Sequence, residues 1–545
     1  MNHRSLTGQS FDFIVVGAGS AGCVLAERLS ADGRHSVAVI EAGGSDRRLF
    51  VQMPLGYGKT YYDQSIGWNY HAEPDPGLGG RRDYWPRGRL LGGSGSINAM
   101  VWVRGHPGDY DDWAAAGNPG WGYADVLPAF KALEDNQAGG DAWRGTGGPV
   151  HVTDVSARLH PLARRFIEAG RQAGFALNRD FNGASQDGVG AYQINTRHGW
   201  RCSAARAFLR PALRRANVAL FTQAHAVRVV LDGRSATGVE IVRDGQRQIL
   251  RATREVIVAA GAVASPALLH RSGIGPAAHL AAIGVAVALD SPAIGHHLQD
   301  HLGINYTFRA RSPTLNQTLR PWWGKLVAGA QFLLTGRGPL SLSLNQGGGF
   351  VRTGPQATRP NVQLYLQAIS TLDGAAGTRA LLRPDPFPGF CIGLSSCRPQ
   401  SRGSILARSA DAFAPPLIFP NAFGTARDVA DMLAGVKLIR RLAAQPALAD
   451  EIVAELSPGP DVVSDAALTA DFRARAGSVY HPCGTVRMGP AIEDSGVDAR
   501  LRVHGIERLR VIDASVFPAV VSGNTNAPTM MVALRGAAMV LADAS

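Results

Sequence analysis

At 545 residues the chain exceeds what one hydrophobic core usually organises, so two domains are the default expectation. Hydrophobic residues at 45% and charged residues at 18% describe a well-packed globular protein and exclude bulk disorder. The net charge of +12 comes from scattered arginines, as at Arg201, Arg206, Arg210, Arg214 and Arg215, with no basic block carrying interleaved aromatics, which argues against a nucleic-acid partner.

The first residues, 1–10, are polar and run straight into a strand pattern, which leaves no space for a signal peptide. Residues 11–16 read as a buried parallel strand that enters Gly17-Ala18-Gly19-Ser20-Ala21-Gly22 before a helical pattern over 23–29, and a second strand over 36–40 ends at Glu41 and Ala42. Such a strand, Gly-turn, helix, strand unit binds a dinucleotide. Gly17 allows the tight turn, Gly19 lets backbone N–H groups approach a pyrophosphate, and Gly22 lets the helix pack on the strand. The helix N-terminus, with Ser20 and Ala21, then faces the phosphates, and Glu41 can accept hydrogen bonds from ribose hydroxyls, which disfavours a 2′-phosphate. The unit does not by itself separate FAD from NAD.

Residues 51–122 are rich in Gly, Pro and aromatics, including Trp68-Asn69-Tyr70 and Tyr84-Trp85-Pro86-Arg87-Gly88. A stretch this long is predicted to cover the cofactor rather than merely connect elements. Within it, Leu91-Gly92-Gly93-Ser94-Gly95-Ser96-Ile97-Asn98-Ala99-Met100-Val101 puts small residues where backbone can lie against a flat or charged ligand, and the apolar residues that close it argue against a mobile linker. Strands are predicted over 219–222, over 226–230 around Val227, and over 255–260, the last ending in Ala260-Gly261-Ala262. Ser265-Pro266 is predicted to open a helix with the proline in its first turn.

From 308 to 476 the pattern changes to a helix over 322–334, strands over 348–352, 361–367 and 390–395, and a helix over 426–445. The chain then returns to the nucleotide sheet over 510–515, bringing Asp513 and Ala514. No apolar stretch reads as a membrane span. Five cysteines at irregular spacings suggest neither metal ligands nor a disulfide framework, so no metal site is expected and a reducing compartment fits best. The expectation is a cytoplasmic protein, any membrane contact being peripheral.

Near the end stand Tyr480-His481-Pro482-Cys483-Gly484-Thr485 and Asn524-Thr525-Asn526-Ala527-Pro528-Thr529. With the N-terminal Gly motif, Pro86-Arg87-Gly88 leading to Leu91-Gly92-Gly93-Ser94, Gly261-Ala262 with Ser265-Pro266, Leu298-Gln299-Asp300-His301, and Met488-Gly489, these make ordered blocks over nearly the whole chain. The sequence resembles the glucose-methanol-choline (GMC) family of FAD oxidoreductases. Trp85-Pro86-Arg87-Gly88, Ser96-Ile97-Asn98-Ala99-Met100 and Arg104-Gly105-His106 are most similar to its bacterial alkanol dehydrogenase and choline dehydrogenase branch.

The resemblance implies an α/β fold with a discontinuous Rossmann-like FAD-binding domain, residues 1–157, 190–307 and 476–545. An α+β substrate domain, an antiparallel sheet flanked by helices, would occupy 308–475 with a contribution from 158–189. It implies His481 as the base that takes a hydroxyl proton and Asn524 as a neutral partner for the alkoxide. The helix begun by Thr525 and Asn526 would point its N-terminus at the flavin pyrimidine. Trp68, Arg87, Leu91, Gly92, Gly93, Ser94, Asn98, Ala99, Met100, Val101, Val227, Ala260, Gly261, Tyr480, Asp513 and Ala514 would complete the cofactor contacts.

Three departures bear on chemistry. Ile97 stands where some relatives tether FAD through His, so the flavin is expected to be non-covalent. Gln346 aligns with the carboxylate of choline-processing relatives, and a neutral amide cannot pair a quaternary cation. His297 replaces a common Asn, without a reason visible in sequence. Cys483 reads as a packed thiol and Ser94 lacks a hydrolase elbow. Trp322, Trp323, Phe332 and Leu340 are candidates for an access channel, core packing being the stronger reading. The expected reaction is oxidation of a primary alcohol, aliphatic or aryl-alkyl, with electrons passing to a quinone or other carrier. A dioxygen-using oxidase, a choline dehydrogenase and a flavin-containing lyase are the alternatives.

Overall fold

The computed structural model describes residues 9–372 and 383–544, so most of the polar segment 1–10 lies outside the described residues. The nucleotide sheet is built where the sequence is most continuously apolar. Ser10–Val16 pairs in parallel with Val37–Ile40 on one side and with the second half of Gln246–Val258 on the other. Val218–Phe221 and Leu509–Val511 extend it at the two sides, again in parallel. Phe13, Ile14, Val15, Val37, Ala38 and Val39 are fully buried, as strands covered on both faces must be. Ala224–Asp232 and Ser235–Arg243 complete the seven strands as an antiparallel extension of the long strand's first half.

Register decides where the chemistry goes. Val16 is level with Ile40 and Val258, Ile40 with Phe221, and Val258 with Val511. The next residues, Gly17, Glu41, Ala259 and Ile512, therefore emerge together at the carboxyl edge of the sheet, where ligands bind in open α/β folds. The helices Ser20–Leu29 and Asn526–Ala544 pack on each other over this sheet.

A second sheet is antiparallel in the order Ile452–Ser457, Leu302–Ala310, Gly389–Ser396, Val362–Gln367, Asn345–Val351 and Gly188–Ala191, with Gly477–Ser478 also on Leu302–Ala310. Helices Pro161–Gln172 and Ala426–Ala443 pack on it. The α/β architecture is the one expected, but this sheet crosses the expected boundaries. Strands Gly188–Ala191 and Leu302–Ala310 each straddle one of them, because both complete their hydrogen bonds in the second sheet.

Two expectations are corrected. The helix expected to open at Ser265-Pro266 starts at Gly261 and runs to Arg271, leaving Pro266 in its interior. A proline there cannot donate to the carbonyl of Ala262. The Thr485 hydroxyl donates to that carbonyl at 2.7 Å instead, so the family-like Thr at 485 repairs the helix at 266. Thr485→Val should leave a buried carbonyl unpaired and cost about 1–3 kcal/mol. Thermal unfolding at matched flavin content measures this, and an unchanged midpoint would refute it.

The second correction concerns membranes: helix Asn526–Ala544 is long and apolar enough to cross one. It is instead a core helix, burying Met530, Met531, Val532, Ala533, Ala537 and Val540 against the rest of the protein.

Candidate active site

One large cavity of about 1160 Å³ runs from the carboxyl edge of the first sheet to the face of the second. That volume exceeds the usual range for a single drug-sized ligand and suits a large cofactor with substrate beside it. Its nucleotide end is formed by backbone. Gly17 has φ of +104°, and a Cβ there would stand 2.5 Å from the Ala259 carbonyl oxygen. A Cβ on Gly93 would lie 2.8 Å from Gly19 Cα, so two Gly-rich turns cross in contact. A Cβ on Gly95 would lie 2.5 Å from Ser20 Oγ, which itself donates to Asn526 Oδ1 at 2.7 Å. The starts of the helices Ser20–Leu29 and Asn526–Ala544 and the turn Gly93–Ser96 thus converge, presenting free backbone N–H groups and two helix dipoles to one space.

Of the predicted cofactor contacts, Gly17, Gly19, Ser20, Ala21, Glu41, Ala42, Trp68, Arg87, Gly93, Ser94, Asn98, Ala99, Met100, Val101, Ala260, Gly261, Tyr480, Asp513, Ala514, Asn524, Thr525 and Asn526 line the cavity. Gly22, Leu91, Gly92 and Val227 do not. Gly22 packs the helix: a Cβ there would stand 1.8 Å from the Gly17 carbonyl oxygen. Leu91 and Gly92 support the turn from behind, through Leu91 N to Gly44 O at 3.0 Å and Gly92 N to Ala18 O at 2.7 Å. Val227 is buried on its strand, and its neighbours His225 and Ala226 line the cavity instead.

Two predicted carboxylates are engaged by the chain itself. Glu41 accepts from Ala18 N at 3.0 Å and Gly43 N at 2.8 Å, and burial pushes its acid up to about 7. Asp513 accepts from Gly261 N, Ser265 Oγ and Ser515 N at 2.6–2.8 Å, so it holds the turn that presents Ala260 and Ala514.

At the other end, the histidine turn is held from two sides. Asp300 accepts from the His481 backbone N at 2.8 Å and from the Ser478 hydroxyl. Arg87 Nη2 donates to Tyr480 O at 2.8 Å. Tyr480 sits at φ +72°, a conformation costly for an aromatic residue that persists only when its surroundings over-determine it.

The imidazole belongs to a directed chain. His301 Nε2 lies 3.0 Å from the Cys397 carbonyl, which can only accept, so that nitrogen carries the proton. Burial holds His301 down to about 4 against the backbone hydrogen bonds to Cys397 and Val521, so the ring is neutral, and with its proton on Nε2 its Nδ1 is the acceptor of the contact with His481 Nδ1 at 3.0 Å. His481 Nδ1 must then donate, which leaves the His481 Nε2 lone pair on the cavity side as an acceptor. Asn524 Nδ2 stands 3.1 Å from Nε2, and its Oδ1 accepts from Gln363 Nε2 at 3.3 Å. Burial, then the His301 ring and the Arg87 guanidinium, hold the His481 pKa well below the ordinary imidazole value. The arrangement is a neutral, oriented base on the cavity wall.

His301 and Asp300 went unassigned in the sequence reading although both belong to Leu298-Gln299-Asp300-His301, since a motif does not say which side chain faces which. Arg201 was missed for the same reason. It donates to Asn98 Oδ1 at 2.7 Å and Val51 O at 2.9 Å and so pins the segment under the cavity. His297 now has a physical account: it adopts φ +61°, a left-handed conformation that Asn and His both tolerate.

Gln346 does not face the cavity, so its neutral amide says nothing about a quaternary cation there. Gln346 accepts from His160 N at 2.7 Å, away from the cavity, and the cavity-facing residue of that strand is Asn345. Likewise Trp322, Trp323, Phe332 and Leu340 do not line it. Cys483 is buried with its thiol pushed far up, a packed thiol rather than a nucleophile.

Sequence models described as GMC oxidoreductase match residues 11–303 and 399–533. The chain is a GMC oxidoreductase. It is 41% identical to the oxygen-dependent choline dehydrogenase of Sinorhizobium medicae, over 97% of this chain and 95% of that protein. It is 40% identical to alcohol dehydrogenase [acceptor] of Pseudomonas putida, over 97% and 96%. Pyridoxine 4-oxidase from Mesorbium loti superposes with a TM-score of 0.87 at 31% identity, covering 97% of this chain and 98% of that one.

The cofactor of this oxidoreductase is FAD. The backbone cradle fits it, since at Gly17, Gly93 and Gly95 a Cβ would close onto neighbouring atoms. Gly19, Ser20, Ala21 and the Asn526 helix start would hold its phosphates and ring.

Proposed function

We propose that the enzyme oxidises a primary alcohol to its aldehyde. The observation that carries this is the His481 Nε2 lone pair on the cavity wall beside the Asn524 amide. When bound, FAD supplies the acceptor for the hydride that leaves the carbinol carbon. His481 Nε2 takes the hydroxyl proton, and His301 keeps the ring in the tautomer that can do so. The Asn524 amide donates at every pH, which suits it to steady the alkoxide. Ile97 is buried with Val51, Ile66 and Leu90, supporting a flavin held without a covalent tether.

The substrate end carries Tyr365, Asn305, Asn345, Gln367, Ile304, Leu394 and Arg475. Asn345 and Gln367 bond each other at 2.9 Å, and Arg475 is paired with Asp471. Neutral amides, apolar side chains and a guanidinium favour an uncharged alcohol over a quaternary ammonium, and a carboxylate that also lines the cavity, Asp83, already accepts from Ser478 N at 2.7 Å. Choline is the second reading, favoured by the named relatives and by Tyr61 and Tyr480, whose rings meet at 5.6 Å on the cavity.

Anaerobic addition of alkanols, aryl alcohols and choline tests the proposal: a primary alcohol should bleach the flavin absorbance. Product without bleaching would favour lyase chemistry. We take the acceptor to be a quinone or other carrier, and reoxidation at turnover rate after admission of air would show an oxidase instead.

A further inference from the structure

Soluble proteins rarely expose contiguous apolar surface, and the helix Trp322–Thr335 does so along most of its length. Only Gly324, Ala328 and Phe332, one row at i, i+4, i+8, are buried, with Phe332 against the ring of Trp200 at 4.5 Å. The opposite faces carry Trp322 at 75% exposure, Trp323 at 58%, Leu326 at 64%, Val327 at 63%, Leu333 at 58% and Leu334 at 84%. Nothing in the fold requires this: alanine or glutamine at those positions would keep the helix.

The stretch of chain that carries it has charge of one sign. From His301 to Leu372 the sequence contains no Asp or Glu, while Arg309, Arg311, Arg320, Lys325, Arg337, Arg352 and Arg359 fall within it, of which Arg352 and Arg359 are paired with Asp187 and Asp112 from other segments. Arg320 and Arg337 flank the helix, and Lys325 is exposed on it. Exposed tryptophans at one end, aliphatic side chains beside them, and Lys325 with the flanking Arg320 and Arg337 in a stretch that holds no carboxylate are the composition of a helix lying in a bilayer interface.

The helix also adjoins the cavity. It packs on Leu315–Leu319, which is joined to the exit of strand Val362–Gln367 by Leu315 N to Ala368 O at 2.9 Å and Asn316 Nδ2 to Ser370 Oγ at 3.0 Å. Ile369, Thr371 and Leu372 of that exit line the cavity.

We propose that Trp322–Thr335 is a docking face for an anionic lipid bilayer, seating its apolar side chains among the acyl chains and its cations among the headgroups. A second copy of the chain fits less well. A two-fold contact would set Lys325 and the flanking arginines against their own counterparts, with no carboxylate in the segment to answer them. The docking face would place the cavity wall near a membrane, where apolar alcohols and lipid-soluble acceptors concentrate.

The test uses the full-length, FAD-loaded protein with vesicles of phosphatidylcholine alone and with added phosphatidylglycerol. Wild type should co-sediment with the anionic vesicles, and Leu326→Glu with Leu334→Glu should weaken that by roughly tenfold or more while flavin content and dye-linked turnover stay unchanged. Should the double variant lose flavin, wild type alone still decides. Brominated lipid should quench tryptophan fluorescence on binding to anionic vesicles. Wild type that remains in the supernatant, undiminished binding by the double variant, absence of quenching, or a dimer in light scattering that the double variant dissolves without any vesicle binding would each overturn the proposal.

Discussion

His481→Ala is expected to retain its FAD and to slow anaerobic flavin reduction by about 10²–10⁴-fold, the range a positioned general base contributes. The flavin should stay because the cradle is made by Gly17, Gly93, Gly95 and two helix starts, none of which contacts the imidazole. The rate should fall because the nearest other imidazole, His301, stands behind His481 and does not line the cavity, so its Nδ1 is set back from the substrate by the length of the missing ring. Near-normal reduction in this variant would remove His481 from the mechanism.

The same argument fixes the pH dependence of wild type. A base works while deprotonated, and the His481 pKa lies well below the ordinary imidazole value because of burial, His301 and Arg87. Lowering the pH from 8 to about 6 should therefore leave the reductive rate flat, the acid limb coming only below the usual imidazole range near 6.5. Burial raises the acid of Asp300 to about 7, and it accepts from the His481 backbone N. A limb near 7 that vanishes in Asp300→Asn would belong to that carboxyl, whereas one that survives there would contradict a base held so low.

The second large effect separates two glycines of one motif. In Gly22→Ala the new methyl would stand 1.8 Å from the Gly17 carbonyl oxygen, which is backbone and cannot rotate away. The helix must lift off the strand, so both FAD content and thermal stability should fall, the latter by about 1–3 kcal/mol or more. In Gly19→Ala the new methyl meets nothing within 4 Å, because it projects where the cofactor belongs. That variant should melt like wild-type apoprotein and bind FAD poorly. Equal melting of the two apoproteins would show that the two glycines do not divide the work this way.

Much of this was legible in the sequence because its physics is local. A run of apolar residues entering Gly17-Ala18-Gly19 can only be a buried strand turning into a helix, and Pro528 marks the first turn of the last helix. The helix expected over 322–334 was legible for the same reason, and it runs Trp322–Thr335. What failed depended on partners far away. Pro266 reads locally as a helix start, yet the Thr485 hydroxyl lets the helix begin at Gly261. Gln346 reads by alignment as a cavity residue, yet it is the extra residue of a bulge between Asn345 and Gly347 and its side chain is bonded to His160 N, which leaves Asn345 facing in.

By itself, then, the sequence determined the family, the dinucleotide turn and the identity of the His and Asn, because residue type and short spacing encode them. Only the tertiary structure decided the state of that histidine. The lone pair on Nε2 follows from Cys397, His301 and Asn524, residues whose numbers alone place them far apart in the chain and whose hydrogen-bond directions exist only once the two sheets are packed together.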